Sequence, residues 1–230
     1  MSHPSMNHPS EAQVEKHAVS RYSGGARLNH WITAVTLILL AISGLSLFTP
    51  SLFWLTGLFG GGALTREIHP WLGVLLFFSF MGLFLRFWKL NLWNRDDTAW
   101  MKNIDAVAKG DEEKLPEVGK YNAGQKLVFW GMSLSIIALI TSGIVIWDKY
   151  FYQFTTIDQK RWAVLIHAVA AVGAITIWIV HVYAAIWVRG TIRAMTQGSV
   201  TAGWAYRHHR KWLRQEARKP EAPRPAQPAE

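Results

Sequence analysis

The chain has 230 residues, of which 50% are hydrophobic and only 17% are charged, and it carries 13 tryptophans. This composition argues against one or two soluble domains, in which charged residues are more frequent. The sequence contains no cysteine, which excludes disulfides, thiolate nucleophiles, Fe–S ligation and covalent c-type haem attachment. Any redox chemistry must therefore use a cofactor that other side chains hold.

Two polar tails flank the apolar part of the chain. Residues 1–20 lack the apolar core of a signal peptide, and their composition predicts a solvated, disordered cytoplasmic tail. Three histidines in this tail could alternatively bind a metal ion: His3, His8 and His17. Residues 215–230 are rich in proline and predict a second disordered cytoplasmic tail. Residues 21–214 then form a single domain.

Four long stretches of this domain carry no charged residue. They run from Leu28 to Thr65, from Ile68 to Leu85, from Leu127 to Trp147 and from Trp162 to Val188. Each stretch is long enough to cross the roughly 30 Å hydrocarbon core of a bilayer as a helix, at about 1.5 Å per residue. The sequence therefore predicts an all-α fold, an integral membrane four-helix bundle. Its spans are expected at about 31–48, 69–88, 127–147 and 162–188.

The segments that join the spans also carry structural signals. Residues 51–59 are apolar and lie between Pro50 and three glycines, which predicts a short amphipathic helix along the periplasmic interface. Pro70 directly follows His69 and is suited to the first turn of the second span. The connection 86–126 carries eight basic and seven acidic residues and no long apolar run, so we expect a folded or docking cytoplasmic loop.

The basic residues indicate how the spans are oriented. Three lysines or arginines lie in residues 1–30, eight in 86–126 and nine from Arg189 onward, whereas the other two connections hold one and three. Cytoplasmic segments carry more basic residues, so both termini and the 86–126 connection are predicted to be cytoplasmic. The formal net charge of +9 is then a topology signal, helped by anionic lipid, rather than evidence for a nucleic-acid partner.

Four histidines lie within or beside the predicted spans, where ionisable groups are costly and usually functional. The orientation places His69 and His167 near the periplasmic side, and His30 and His181 toward the cytoplasmic side. His167 and His181 are 14 residues apart, which is roughly 21 Å along one helix and within about 40° of the same face. We name His69 with His167 the outer pair, and His30 with His181 the inner pair.

Two imidazoles at one depth on different helices are the axial ligands that a six-coordinate b-type haem needs, and bundles hold cofactors between their helices. The two pairs therefore predict two haems b. A single membrane histidine is more often a packing residue or part of a proton path, but two depth-matched pairs outweigh that interpretation. Zinc or non-haem iron is less favoured, because the spans supply no carboxylate or thiolate. Four glycines could admit a flat macrocycle or serve plain helix packing: Gly44, Gly73, Gly143 and Gly173.

Several motifs resemble those of a known family of membrane cytochromes. They are Arg27-Leu-Asn-His-Trp31, Ile68-His-Pro70, Gly119-Lys-Tyr-Asn-Ala-Gly-Gln-Lys126, Leu165-Ile-His-Ala168, and Ile179-Val-His-Val-Tyr183 followed by Trp187-Val-Arg-Gly190. Together, over about residues 21–214, they resemble the cytochrome b (gamma) subunit of respiratory formate dehydrogenase. The histidine positions alone are shared by di-haem cytochromes of nickel–iron hydrogenases and thiosulfate reductases. The 119–126 segment is more specific for the formate dehydrogenase branch.

The resemblance implies a subunit of the bacterial inner membrane, beneath a periplasmic molybdenum or tungsten catalytic subunit and an Fe–S subunit. It assigns one haem to the outer pair and one to the inner pair, in agreement with the depth argument. It also implies a quinone site near the inner haem, at Asn122, Gln125 and His181. From the residues alone, both amides could reach a quinone oxygen, or Asn122 could cap the third span, and both interpretations stay open.

The resulting hypothesis is a membrane electron conduit that reduces quinone. Electrons from the Fe–S partner would cross from the outer to the inner pair and reduce menaquinone or ubiquinone on the cytoplasmic side, contributing to protonmotive force. The chain itself is expected to have no site that oxidises formate. The aromatic segment 150–154 is a candidate contact for the partner. The alternatives are a cytochrome subunit of a nickel–iron hydrogenase or related oxidoreductase, a haem-free proton channel and a passive membrane anchor.

Overall fold

The computed structural model describes residues 18–111 and 114–218, which form two compact units. The larger one, which we call the span unit, consists of residues 20–93 and 124–200. The smaller one, which we call the small unit, contains the described residues among 1–19, 94–123 and 201–230. Most of the two predicted tails, residues 1–17 and 219–230, lies outside the described residues.

The described chain is mainly helical. In chain order the α-helices are α1 (Gly24–Phe48), α2 (Gly62–Phe87), α3 (Arg95–Lys102), α4 (Ile104–Lys109), α5 (Ala123–Ile146), α6 (Asp148–Phe151), α7 (Ile157–Trp187), α8 (Thr191–Thr196), α9 (Ala202–His208) and α10 (Arg210–Ala217). The described residues also include 3₁₀ helices at Pro50–Phe59, Trp88–Asn91 and Tyr152–Phe154. Two short strands, β1 (Ala18–Ser20) and β2 (Ser199–Thr201), pair into a two-stranded sheet.

Four helices of the span unit confirm the prediction of four membrane spans. Helices α1, α2, α5 and α7 are each long and apolar enough to cross a membrane. Large apolar side chains on their surfaces are exposed in the isolated chain, for example Phe78 at 68% and Val169 at 65%. A long helix that is apolar on all sides and outwardly exposed is typical of a segment surrounded by lipid. The chain is therefore a multi-pass membrane protein.

Polar caps extend two of the spans beyond their apolar cores. The Ser23 hydroxyl accepts a hydrogen bond from the backbone N–H of Ala26 at 3.3 Å, so α1 begins at Gly24. Helix α7 begins at Ile157 because Thr156 and Gln159 form a reciprocal capping box. Both helices start several residues before the predicted spans, because these caps lie outside the apolar runs that define the membrane core.

The second span corrects one prediction. Helix α2 begins at Gly62, so Pro70 lies inside the helix and the prediction that it occupies the first turn is wrong. The 3₁₀ helix Pro50–Phe59 precedes α2 and ends at Gly60, whose φ of +83° is readily adopted only by glycine. The glycine turn therefore sets the start of α2. Pro70 has no N–H to donate, so it removes one hydrogen bond of the helix.

The connection that was predicted to be folded contains α3 and α4 of the small unit. A capping box begins α3, in which the Asn94 side chain accepts from the helix N–H groups and the Asp97 carboxylate accepts from the N–H of Asn94. Trp100, Val118 and Ala123 are buried together as a small hydrophobic core. The capping box fixes the start of α3, and the core packs the segment that leads to α5.

The C-terminal helices of the small unit return to this same segment. His209 is only 1% exposed, and its Nδ1–H donates to the carbonyl oxygen of Gly119 at 2.8 Å. The guanidinium of Arg214 donates two hydrogen bonds to the carboxylate of Glu117, at 2.8 and 2.9 Å. Bidentate pairs of this kind are geometrically specific, so they fix how α10 lies on the 114–123 segment.

Candidate functional site

The structure brings the two inner histidines together. His30 lies near the start of α1 and His181 near the end of α7. The centres of their rings are 6.3 Å apart, and the ring planes are inclined at 55°. The two imidazoles thus face each other across a gap instead of stacking.

The two outer histidines form a second pair with the same spacing. His69 lies in the first half of α2, and His167 lies one-third of the way along α7. Their ring centres are also 6.3 Å apart, with the planes inclined at 63°. Helix α7 therefore contributes one histidine to each pair, and the predicted partners on α1 and α2 are those that the structure places opposite them.

This spacing is the one that two imidazoles need when they bind one metal ion from opposite sides. An imidazole nitrogen binds a transition-metal ion at about 2.0–2.1 Å, and the ring centre lies roughly 1.1 Å further away, so two such centres are about 6.2–6.4 Å apart. Both pairs have this separation of 6.3 Å. The separation of the ring centres thus fits a metal ion held between the two histidines of each pair, as in a six-coordinate haem.

Serine hydroxyls hold both rings of the outer pair. Oγ of Ser43 on α1 lies 2.8 Å from Nδ1 of His69, and Oγ of Ser142 on α5 lies 3.0 Å from Nδ1 of His167. Both serines are buried, at 0% and 5% exposure. The two histidines of the outer pair and their two serines therefore lie on four different spans.

Glycines follow both serines and make room for the outer rings. A Cβ atom on Gly44 would lie 3.2 Å from Cε1 of His69, and one on Gly143 would lie 3.5 Å from Cε1 of His167. The other two glycines that the sequence singled out do not approach a histidine. A Cβ on Gly73 would meet nothing within 4 Å, and one on Gly173 would meet only Ser135 Oγ, at 3.9 Å.

With this geometry established, comparison with known proteins identifies the chain's family. Residues 21–198 match the family model described as prokaryotic cytochrome b561. The chain belongs to the prokaryotic cytochrome b561 family. A cytochrome b holds haem b through axial side chains, and the two histidine pairs of this cytochrome are the residues that fit that role.

Curated relatives cover nearly the whole chain. The chain is 45% identical over 197 residues to the formate dehydrogenase, cytochrome b556(fdo) subunit of Escherichia coli K12, covering 86% of this chain and 92% of that protein. It is 41% identical over 189 residues to the nitrate-inducible formate dehydrogenase, cytochrome b556(Fdn) subunit of the same strain, covering 82% and 87%. It is 37% identical over 198 residues to the formate dehydrogenase, cytochrome b556 subunit of Haemophilus influenzae, covering 86% and 83%. These relatives confirm the resemblance that the sequence motifs indicated.

The inner pair of this cytochrome has different surroundings. Nδ1 of His30 is buried and has no hydrogen-bond partner among the described residues. The polar contacts beside His30 do not involve its ring. The Ser79 hydroxyl hydrogen-bonds the Asn29 side chain at 2.8 Å and the Thr33 hydroxyl at 2.6 Å. These contacts join α1 to α2 next to the inner pair but leave the imidazole of His30 without a protein group on Nδ1.

The predicted quinone residues lie around the start of α5. Asn122 immediately precedes the helix and Gln125 lies in its first turn. The next residue, Lys126, is only 3% exposed, and its ammonium donates to the carbonyl oxygen of Leu92 at 3.0 Å. A buried lysine at this point is a feature that only the tertiary structure reveals, because the sequence shows a charged residue at the edge of a span.

The segment between α5 and α7 presents aromatic side chains on its surface. Tyr150, Tyr152 and Phe154 are 49%, 59% and 79% exposed. Next to them, the ammonium of Lys149 donates to the carboxylate of Glu67 on α2 at 2.6 Å. The hydrogen bond to this carboxylate and its charge raise the pKa of Lys149 above its usual value. An ion pair thus ties the aromatic segment to the helix that carries His69.

Sequence reasoning missed Ser43 and Ser142. Serine is common in membrane helices, where its hydroxyl usually bonds the backbone of the preceding turn, so neither position draws attention on its own. The available signal was a repeat: the dipeptide Ser-Gly occurs once in the first span and once in the third, as Ser43-Gly44 and Ser142-Gly143. Only the folded structure shows that both repeats face histidines.

Proposed function

We propose that this chain is the two-haem membrane subunit of a formate dehydrogenase. The observation that carries the proposal is the presence of two histidine pairs, each with ring centres 6.3 Å apart and both sharing helix α7. The names of the relatives support formate dehydrogenase as the enzyme, because each relative is a cytochrome b556 subunit of a formate dehydrogenase. In this proposal the outer pair holds one haem b and the inner pair holds the other.

Different side chains have different roles in electron transfer through this subunit. Bound haem supplies a one-electron carrier. The two histidines of each pair would hold the haem iron, and the apolar spans exclude water from the path between the pairs. Because His167 and His181 are 14 residues apart on one helix, the two sites are separated by about 21 Å along an axis that crosses a hydrocarbon core of about 30 Å.

The proposed direction of electron transfer rests on the membrane topology that the distribution of basic residues indicates. It orients the outer pair toward the periplasm and the inner pair toward the cytoplasm of a bacterium, in its inner membrane. A periplasmic catalytic subunit with molybdenum or tungsten oxidises formate, and an Fe–S subunit passes the electrons to the outer pair. Moving one electron inward against about 150 mV costs roughly 3.5 kcal/mol, so the donor must be strongly reducing, as formate is.

The exposed aromatic segment is the proposed contact for the Fe–S subunit. Tyr150, Tyr152 and Phe154 present exposed aromatic rings, two of them with a hydroxyl, and aromatic residues are enriched at protein interfaces. The Glu67–Lys149 ion pair links this segment to α2 two residues before His69. A partner that docks here would therefore lie against the end of the helix that carries His69.

Quinone reduction is assigned to the end of the span unit that carries the inner pair. Gln125 and His181 both belong to the span unit, and the resemblance of the 119–126 segment adds Asn122 as a further ligand of the quinone. The amides would hydrogen-bond the oxygens of menaquinone or ubiquinone. Because quinone takes up protons on the cytoplasmic side while formate is oxidised outside, the cycle contributes to protonmotive force in respiration.

Haem content of the purified subunit tests this proposal. We expect two haems b per chain and a reduced b-type band in the reduced-minus-oxidised spectrum. His69→Ala or His167→Ala should remove the outer haem, and His30→Ala or His181→Ala should remove the inner one. His208→Ala, a histidine of the small unit, is the matched control and should retain both.

Each rival function has its own outcome in this experiment. Absence of a visible band would favour a haem-free proton channel. Retention of both haems in all four ligand variants would refute the axial assignment. Quinone reduction that survives His181→Ala would favour a passive anchor. Reduction of the haems in the intact complex by hydrogen, but not by formate, would favour a hydrogenase subunit.

A further inference from the structure

The outer pair has a supporting arrangement that is repeated across two helix pairs. Ser43-Gly44 on α1 faces His69 on α2, and Ser142-Gly143 on α5 faces His167 on α7. In each case the serine hydroxyl is within hydrogen-bond distance of Nδ1, and the glycine is next to Cε1 of the same ring. One such contact could be incidental packing. Two with the same partners on the same atoms indicate a role that both imidazoles need.

The hydrogen bonds of the serines favour one tautomer of each facing imidazole. The hydroxyl of Ser43 donates to the carbonyl oxygen of Leu40 at 3.2 Å, and that of Ser142 donates to the carbonyl oxygen of Ala138 at 2.5 Å. A hydroxyl has only one proton, so with that proton on the backbone carbonyl each Oγ is free to accept from the facing Nδ1–H, the tautomer that a metal-binding imidazole uses. The lone pair of each imidazole is then on Nε2, the nitrogen on the opposite side of the ring.

The inner pair lacks this support. Nδ1 of His30 is buried without a partner, and no protein group bonds the ring of His181 among the described residues. A bond from Nδ1–H to an acceptor orients a metal-binding imidazole and makes it more basic. A more basic axial ligand stabilises ferric over ferrous iron, so it lowers the potential of the haem that it binds.

We infer that Ser43 and Ser142 are positioning residues that present Nε2 of both outer histidines to the haem and keep the outer haem at a lower potential than the inner one. The inference rests on the proposed two-haem function. The difference between the two haem potentials would then favour transfer from the outer to the inner pair and offset part of the cost of moving an electron inward against the membrane potential. The two serines act through the histidines and need no contact with the cofactor itself.

Redox titration of the purified subunit, followed by its visible band, tests the inference. Ser43→Ala should raise the midpoint potential of the outer haem and leave the inner haem unchanged, with two haems still bound. We expect a change of up to about tenfold in the ferric–ferrous equilibrium, which is about 59 mV for one electron. Ser142→Ala should give a shift in the same direction, and Ser43→Thr, which keeps the hydroxyl, should restore the original value. His69→Ala removes the outer haem, so the redox transition that disappears in this variant is that of the outer haem.

Ser133→Ala is the matched control. Ser133 is a buried serine on α5 whose hydroxyl donates to the carbonyl oxygen of Phe129 at 2.7 Å without facing a histidine. An unchanged outer potential in Ser43→Ala, or an equal shift in Ser133→Ala, would overturn the inference. If Ser43→Ala loses the outer haem, its return in Ser43→Thr supports the positioning role, and its absence there refutes it. Wild-type protein without two haems would instead refute the proposed function.

Discussion

Substitution of Gly44 by alanine should displace the ring of His69. The new Cβ would lie 3.2 Å from Cε1 of His69, whereas carbon atoms rest at about 3.5–4.0 Å, so the ring must retreat by about 0.3–0.8 Å. Metal–ligand distances tolerate only about 0.2 Å. The alanine itself favours the helix by up to about 1 kcal/mol, so the protein should still fold while its outer haem is disturbed.

Three glycine substitutions form a graded series. Gly143→Ala places its Cβ 3.5 Å from Cε1 of His167, which is ordinary contact, and Gly73→Ala meets nothing within 4 Å. We expect loss of outer haem, or a changed ferric EPR signal of that haem, in the order Gly44, Gly143, Gly73, with Gly73→Ala unchanged. Haem stoichiometry and EPR of the purified variants measure this order. Equal signals in Gly44→Ala and Gly73→Ala would show that the outer ring is not held where the structure places it.

Two further predictions concern the ends of the spans. Glu67→Gln removes the carboxylate that raises the pKa of Lys149, so Lys149 should lose its proton at a lower pH than in the wild type. The pH dependence of lysine labelling measures this, and an unchanged profile contradicts the ion pair. His209→Ala leaves the carbonyl of Gly119 without its partner, at a cost of about 1–3 kcal/mol. Amide exchange in residues 114–123 of the full chain should then quicken, while unchanged exchange would mean that His209 does not hold this segment.

Sequence reasoning recovered the spans and the pairing of the histidines for a simple reason. The length of an apolar run and the depth of a residue within it are local properties, and the membrane converts both into positions along one axis. His167 and His181 lie on one helix, so their separation is fixed by the helical rise alone. Their partners His30 and His69 followed from the alternating direction of successive spans.

The errors and omissions have a different origin. Pro70 was expected at the start of a helix because proline suits that position, but the glycine turn before Gly62 begins α2 earlier. The burial of Lys126 could not be predicted, because it depends on the carbonyl of Leu92 that lies opposite it. In both cases a contact or turn outside the local pattern decided the outcome.

Residue type and order are enough to predict four membrane spans and histidines at two depths, because hydrophobicity, helical rise and charge distribution act along the chain. Only the folded chain shows that each pair has its ring centres 6.3 Å apart and that, among the described residues, serine hydroxyls contact the outer pair alone. Which side chains meet depends on the rotation and tilt of each helix about its axis. Those are set by the packing of all the spans together, and no local pattern contains them.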